Sequence, residues 1–98
     1  MKNTLVSING ILTDSNRAQI SVFDRGFLFG DSVYEATLFK RGVPLFWQEH
    51  LCRLYQSAGL IQMPLTAQAK LIEKWIERLA SSFQHPQGLL RLIITRGI

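Results

Sequence analysis

The stretch from Phe23 to Leu54, FDRGFLFGDSVYEATLFKRGVPLFWQEHLCRL, limits the fold more than any other part of the chain. Within it the apolar spacing changes from a period of two to a period near 3.6. Ser32 to Lys40 is rich in β-branched and aromatic residues and reads as a strand. Side chains alternate across a strand, so Tyr34, Ala36 and Leu38 share one face and Val33, Glu35, Thr37 and Phe39 the other. Arg41-Gly42 then turns the chain into Val43-Pro44-Leu45-Phe46, the second arm of a hairpin. From Gln48 to Ala58 the chain reads as helix, because Leu51, Leu54, Tyr55 and Ala58 recur at the spacing of one buried stripe; Gly59 is a plausible stop. Before the strand, Asp24-Arg25-Gly26 and the glycine-bounded aromatic run Phe27 to Gly30 read as turns.

The flanks complete an α+β domain with an antiparallel-rich sheet and two packed helices. Leu5-Val6-Ser7-Ile8 and Ile11-Leu12-Thr13 enclose Asn9-Gly10, the residue pair that most readily takes the two positive φ angles of a type I′ turn, which predicts an opening hairpin. Asp14 to Gln19 is polar and reads as loop. Thr66 is a good N-cap for a helix running to about Phe83, whose stripe Leu71, Ile72, Trp75, Ile76, Leu79 and Phe83 opposes charged residues and reads as core packing. His85 to Gly88 closes that helix. Leu89 to Thr95 is then a strand of large apolar residues, expected to be buried on both sides except at Arg91.

Ninety-eight residues suffice for one core and not for two. An apolar content of 47% argues against a disordered chain. The longest apolar run is far short of a membrane span and the start, Met1-Lys2-Asn3-Thr4, lacks a signal peptide's apolar stretch, so a cytoplasmic protein is expected. A single cysteine excludes an internal disulfide framework, and its place in the Gln48–Ala58 helix makes Cys52 a packing residue. The net charge of +4 permits an anionic partner without naming one. The basic residues are scattered, with no aromatic-interleaved stripe of the kind that grips nucleic acid, and a phosphorylated or carboxylate-bearing small molecule suits the same charge.

No arrangement of nucleophile, base and orienting group is readable along the chain. His50 and His85 lie far apart with no metal-ligand spacing; His50 reads as a helix residue at the surface and His85 as a loop residue. Gly26 and Gly30 are too sparse for a phosphate loop. Glu49 and Arg53 stand four apart in the favourable acid-before-base order, so a helix-surface ion pair accounts for Arg53. The residues alone therefore reach a basic α+β domain, for which a stand-alone binding module is one reading.

Taken in order, Asp24-Arg25-Gly26, Phe29-Gly30-Asp31, Val33-Tyr34-Glu35 and Glu49-His50-Leu51-Cys52-Arg53-Leu54 closely resemble one family. Its N-terminal pattern is close to DRGxxFGDxVYE followed by EHLxRL. The family is the fold-type IV pyridoxal-phosphate enzymes, or class IV aminotransferases, which include D-amino-acid aminotransferases, branched-chain aminotransferases and aminodeoxychorismate lyases. The resemblance runs from the Asn9-Gly10 hairpin to Thr95-Arg96-Gly97.

It implies that residues 1–98 are an N-terminal small domain that packs on a larger one, with pyridoxal 5′-phosphate in the cleft and a homodimer as the complete form. The Schiff-base lysine and the acidic partner of the pyridine nitrogen would lie beyond residue 98, which leaves no catalytic residue in this chain. An end in a strand, with no polar tail, fits that expectation. Arg53 would bind the cofactor phosphate, whose two charge-assisted hydrogen bonds outweigh an exposed pairing with Glu49. Tyr34 would face the substrate carboxylate, Ala36 and Leu38 would wall the pocket, and Phe29 would form its lip. Arg91 falls where branched-chain members carry an arginine near the substrate carboxylate, while Arg96 reads as structural. The implied reaction is amino transfer between an amino acid and a 2-oxo acid, with pyruvate elimination by a lyase as the alternative.

Overall fold

The computed structural model describes residues 4–98. Strands β1 (Leu5–Ile8) and β2 (Ile11–Asp14) form the expected antiparallel ribbon, with Ile8 opposite Ile11. Asn9 at φ 50° and Gly10 at φ 84° close it. A side chain at position 10 would force a shift, because its Cβ would overlap the Trp75 indole. Trp75 thus braces the ribbon against the last long helix, which agrees with its reading as a packing anchor. The polar stretch after β2 is not all loop, since Ser15–Arg17 forms one 3₁₀ turn.

The segment read as two turns is a short helix, α1 (Arg25–Phe29). Asp24 makes it possible: its Oδ2 accepts from the Gly26 N–H at 2.9 Å and the Phe27 N–H at 3.3 Å, satisfying donors that a helix start leaves unpaired. Gly30, at φ 66°, ends it in the left-handed conformation that glycine takes most cheaply. Five residues are too few for a 3.6 period to register in the sequence.

Strand β3 (Ser32–Lys40) lies between β4 (Val43–Pro44) and β5 (Gln87–Thr95), both antiparallel to it. The second hairpin arm is shorter than the expected Val43–Phe46. Leu45 still donates its N–H to the Leu38 carbonyl at 2.8 Å and accepts from Thr37 Oγ1 at 2.6 Å. Phe46 then swings to φ 53° and reverses the chain. This reversal sends helix α2 (Trp47–Leu60) back beneath β3. The helix runs through Gly59 rather than stopping there, because the left-handed residue of its exit is Gln62, at φ 59°.

Thr66 does not cap the next helix. It opens a 3₁₀ turn, Thr66–Gln68, and α3 (Ala69–Ser82) follows with no side-chain cap. Leu54, Ala58, Ile72 and Ile76 from these helices enclose Val33 and Leu65 in the core, against which Leu90, Leu92 and Ile94 pack. Both long helices therefore cover the same face of the three-stranded sheet. For that reason β5 is not buried on both sides: Leu90, Leu92 and Ile94 turn to the core, while Leu89, Arg91 and Ile93 are exposed. Cys52 is exposed as well, beside the buried stripe rather than in it. Arg96 is structural: it donates to Asp31 Oδ2 and to the Ile61 carbonyl, each at 2.6 Å, tying the end of β5 to the exit of α2.

Candidate functional site

β3 carries chemistry on both faces. On the covered face stands Glu35, whose side chain is only 8% exposed. A carboxylate so placed needs donors, and α2 supplies them because its start lies directly beneath the strand. Arg53 donates from Nε to Oε2 at 2.9 Å and from Nη2 to Oε1 at 2.7 Å, and the His50 ring meets Oε1 through Nδ1 at 2.6 Å. The Arg53 guanidinium, helped by His50 and opposed by burial, holds the Glu35 carboxyl at about 2, far below its usual 4.5. An ionised carboxylate only accepts, so His50 donates from Nδ1 and keeps Nε2 for another partner.

Arg53 is thus not the surface partner of Glu49, nor is His50 a plain surface residue. Glu35 takes the Nε and Nη2 edge of the guanidinium. Nη1 and the second hydrogen of Nη2 form the opposite edge, where Nη1 has no carboxylate partner among the described residues, and the Arg53 side chain is 65% exposed. A planar fork fixed on one edge by an anion presents its second edge in a set direction, an arrangement suited to two oxygens of a phosphate.

The other face of the sheet is open. Tyr34 is 67% and Leu38 57% exposed, with Ala36 between them. In the register Ala36 lies directly opposite Arg91, and Tyr34 and Leu38 opposite Ile93 and Leu89. Arg91 is therefore an exposed cation set among apolar side chains, beside the smallest residue of the strand. Phe29, 77% exposed, ends α1 beyond the Ser32–Thr95 end of this face. The structure so gathers Tyr34, Ala36, Leu38 and Arg91 on one surface and holds Arg53 on the opposite side. The edge of β3 between Ser32 and Thr37 is left unpaired by β4, which reaches only Phe39 and Lys40, and there the two faces adjoin. A crevice of about 710 Å³ between β1, the end of α3 and the outer edge of β5 takes in Arg91 but no other candidate residue.

Sequence reasoning missed Glu35 and His50 as members of the cluster. Two signals were present: a carboxylate on the core-facing side of a strand, and His50 and Arg53 three apart on one helix face.

The model of the family described as amino-transferase class IV matches residues 32–98. The chain belongs to this family. A putative branched-chain-amino-acid aminotransferase of Methanocaldococcus jannaschii is 37% identical over 95 residues, covering 95% of this chain and 32% of that protein. A D-alanine aminotransferase of Bacillus licheniformis is 34% identical, covering 94% and 32%. The fold IV-transaminase CpuTA1 of Curtobacterium pusillum superposes with a TM-score of 0.80 at 28% identity, covering 90% of this chain and 32% of that one. The class IV chain thus spans about a third of the length of the curated relatives it matches. Its α+β architecture matches the corresponding part of the solved transaminase. No helix among the described residues is long and apolar enough to cross a membrane.

Proposed function

We propose that this chain is the small N-terminal domain of a cytoplasmic, homodimeric, pyridoxal-phosphate-dependent aminotransferase that moves an amino group between an amino acid and a 2-oxo acid. The observation that carries the reading is the exposed second edge of Arg53, held in place by buried Glu35. When bound, the cofactor supplies the electron sink for bonds at the substrate Cα.

The donor set fits it. Arg53 gives its phosphate two charge-assisted N–H donors, while Glu35 fixes the plane of the fork and stays ionised. His50 completes the anchorage of Glu35 through Nδ1. On the open face Tyr34 offers a phenolic O–H and Arg91 a guanidinium to substrate carboxylate oxygens, while Ala36, Leu38 and Phe29 exclude water from the substrate side chain. The base that moves the Cα proton belongs to a larger domain carrying the Schiff-base lysine.

The test is single turnover by the full-length gene product, loaded with pyridoxal phosphate and given one amino acid without an acceptor. The reading expects about one equivalent of the matching 2-oxo acid, with further turnover only after a second 2-oxo acid is added. Pyruvate elimination that continues beyond one equivalent without an acceptor would make the protein a lyase. No reaction with any amino acid, coupled with salt-sensitive retention on polyanions, would replace the enzyme with a binding module.

A further inference from the structure

Helix α1 carries three large apolar side chains, Phe27, Leu28 and Phe29, exposed by 65%, 48% and 77%, and it buries none of its residues. Hydrophobic packing within the domain therefore does not set its position, and five residues cannot hold a helix by themselves. Polar contacts hold it instead. Asp24 accepts through Oδ1 from the Thr95 hydroxyl at 2.7 Å while its Oδ2 caps the helix. The Arg25 N–H donates to the Gly97 carbonyl at 2.8 Å, and the Gly97 N–H returns to Thr95 Oγ1 at 3.1 Å. Gly26 is pressed so closely to Thr95 that a Cβ on it would lie 2.4 Å from the threonine methyl. Thr95 sits on the open face, in line with Ile93 and Arg91.

We propose that Asp24 and Thr95 form a latch that fixes α1 at the end of the open face and so sets the room left beside Phe29 for a substrate side chain. They are positioning residues for substrate selectivity, an inference that rests on the aminotransferase reading. The Thr95 hydroxyl is the joint of the latch, since it donates to Asp24 and accepts from Gly97. Its loss removes the side-chain part of the hold on α1, leaving the Arg25–Gly97 backbone bond, and does not open the core, because no core residue belongs to the helix.

The experiment compares Thr95→Val and Thr95→Ser in the full-length, cofactor-loaded protein. Valine keeps the shape and removes the hydroxyl; serine keeps the hydroxyl. Hydrogen exchange in the peptide covering residues 25–31 should quicken about tenfold in Thr95→Val, the loss of one hydrogen bond to a charged acceptor, and return to the wild-type rate in Thr95→Ser. The ratio of KM values for a bulky and a small amino acid should shift about fivefold or more in Thr95→Val, with kcat for the small one within about twofold and recovery in Thr95→Ser. Unchanged exchange would overturn the latch. Faster exchange with an unchanged KM ratio, or a uniform fall in kcat, would overturn its role in selectivity. If the wild-type protein transaminates nothing, the aminotransferase reading fails and selectivity falls with it, while exchange still decides whether the hydroxyl fixes α1.

Discussion

Replacing Glu35 with glutamine isolates the cluster beneath β3. The carboxyl is lowered from 4.5 to about 2, chiefly by Arg53 and then by His50, against the pull of burial. A difference of that size between folded and unfolded chain corresponds to at most about 3 kcal/mol. Because the Arg53 side chain is 65% exposed, solvent and salt screen its half of the interaction, and about 1–2 kcal/mol is the expected net loss in Glu35→Gln at neutral pH. The folded value lies below the unfolded one, so the stabilisation is complete above about pH 4.5 and is lost as the pH falls through about 2. Urea unfolding followed by the fluorescence of Trp47 and Trp75, both half-buried, reads this directly. Wild type should exceed Glu35→Gln by a constant margin from pH 7 to pH 5, and the margin should shrink by roughly three fifths at pH 3. A margin that stays flat from pH 7 to pH 3, or widens, would refute a native ion-paired carboxylate at this position.

Two further substitutions probe the frame. Tyr55 donates to Glu73 Oε2 at 2.8 Å, and burial, then Glu73, pushes its phenol up to about 12. Tyr55→Phe should cost about 1 kcal/mol in urea unfolding at neutral pH. It should also remove the stability that wild type holds below pH 10 and loses as the pH rises through about 12. Gly10→Ala meets both a φ of 84° and the Trp75 indole, and should cost about 2 kcal/mol with a loss of near-ultraviolet tryptophan dichroism.

Most of the frame is legible in the sequence because its long elements each carry one period. The alternation of Ser32 to Lys40 agrees with the structure residue by residue, and in the stripe Leu51, Leu54, Tyr55 and Ala58 all are buried but Tyr55, which is half-buried. Legibility fails where a single contact overrides local preference. Gly59 is a good helix stop in isolation, yet the helix passes it because the left-handed turn falls on Gln62. Leu89 to Thr95 has, Arg91 apart, the composition of a fully buried strand, and only the placement of both helices on one side leaves its Leu89 and Ile93 face exposed. At the site, the shared face of Tyr34, Ala36 and Leu38 follows from alternation alone. The partner of Arg53 does not, because Glu35 lies 18 positions away and reaches it only after the chain reverses at Phe46.

On the aminotransferase reading proposed above, Arg53 serves two anions at once, Glu35 with one edge and the cofactor phosphate with the other. The most direct test is the affinity of the full-length protein for pyridoxal phosphate in wild type, Arg53→Lys and Arg53→Ala, measured beside the urea midpoint of each apoprotein. A lysine still neutralises Glu35 but lacks the second edge. Arg53→Lys should therefore bind the cofactor about 10- to 100-fold more weakly with little change in midpoint, and Arg53→Ala should lose more of both. Cofactor bound by Arg53→Lys and Arg53→Ala as tightly as by wild type would contradict the account and leave Arg53 as the structural partner of Glu35.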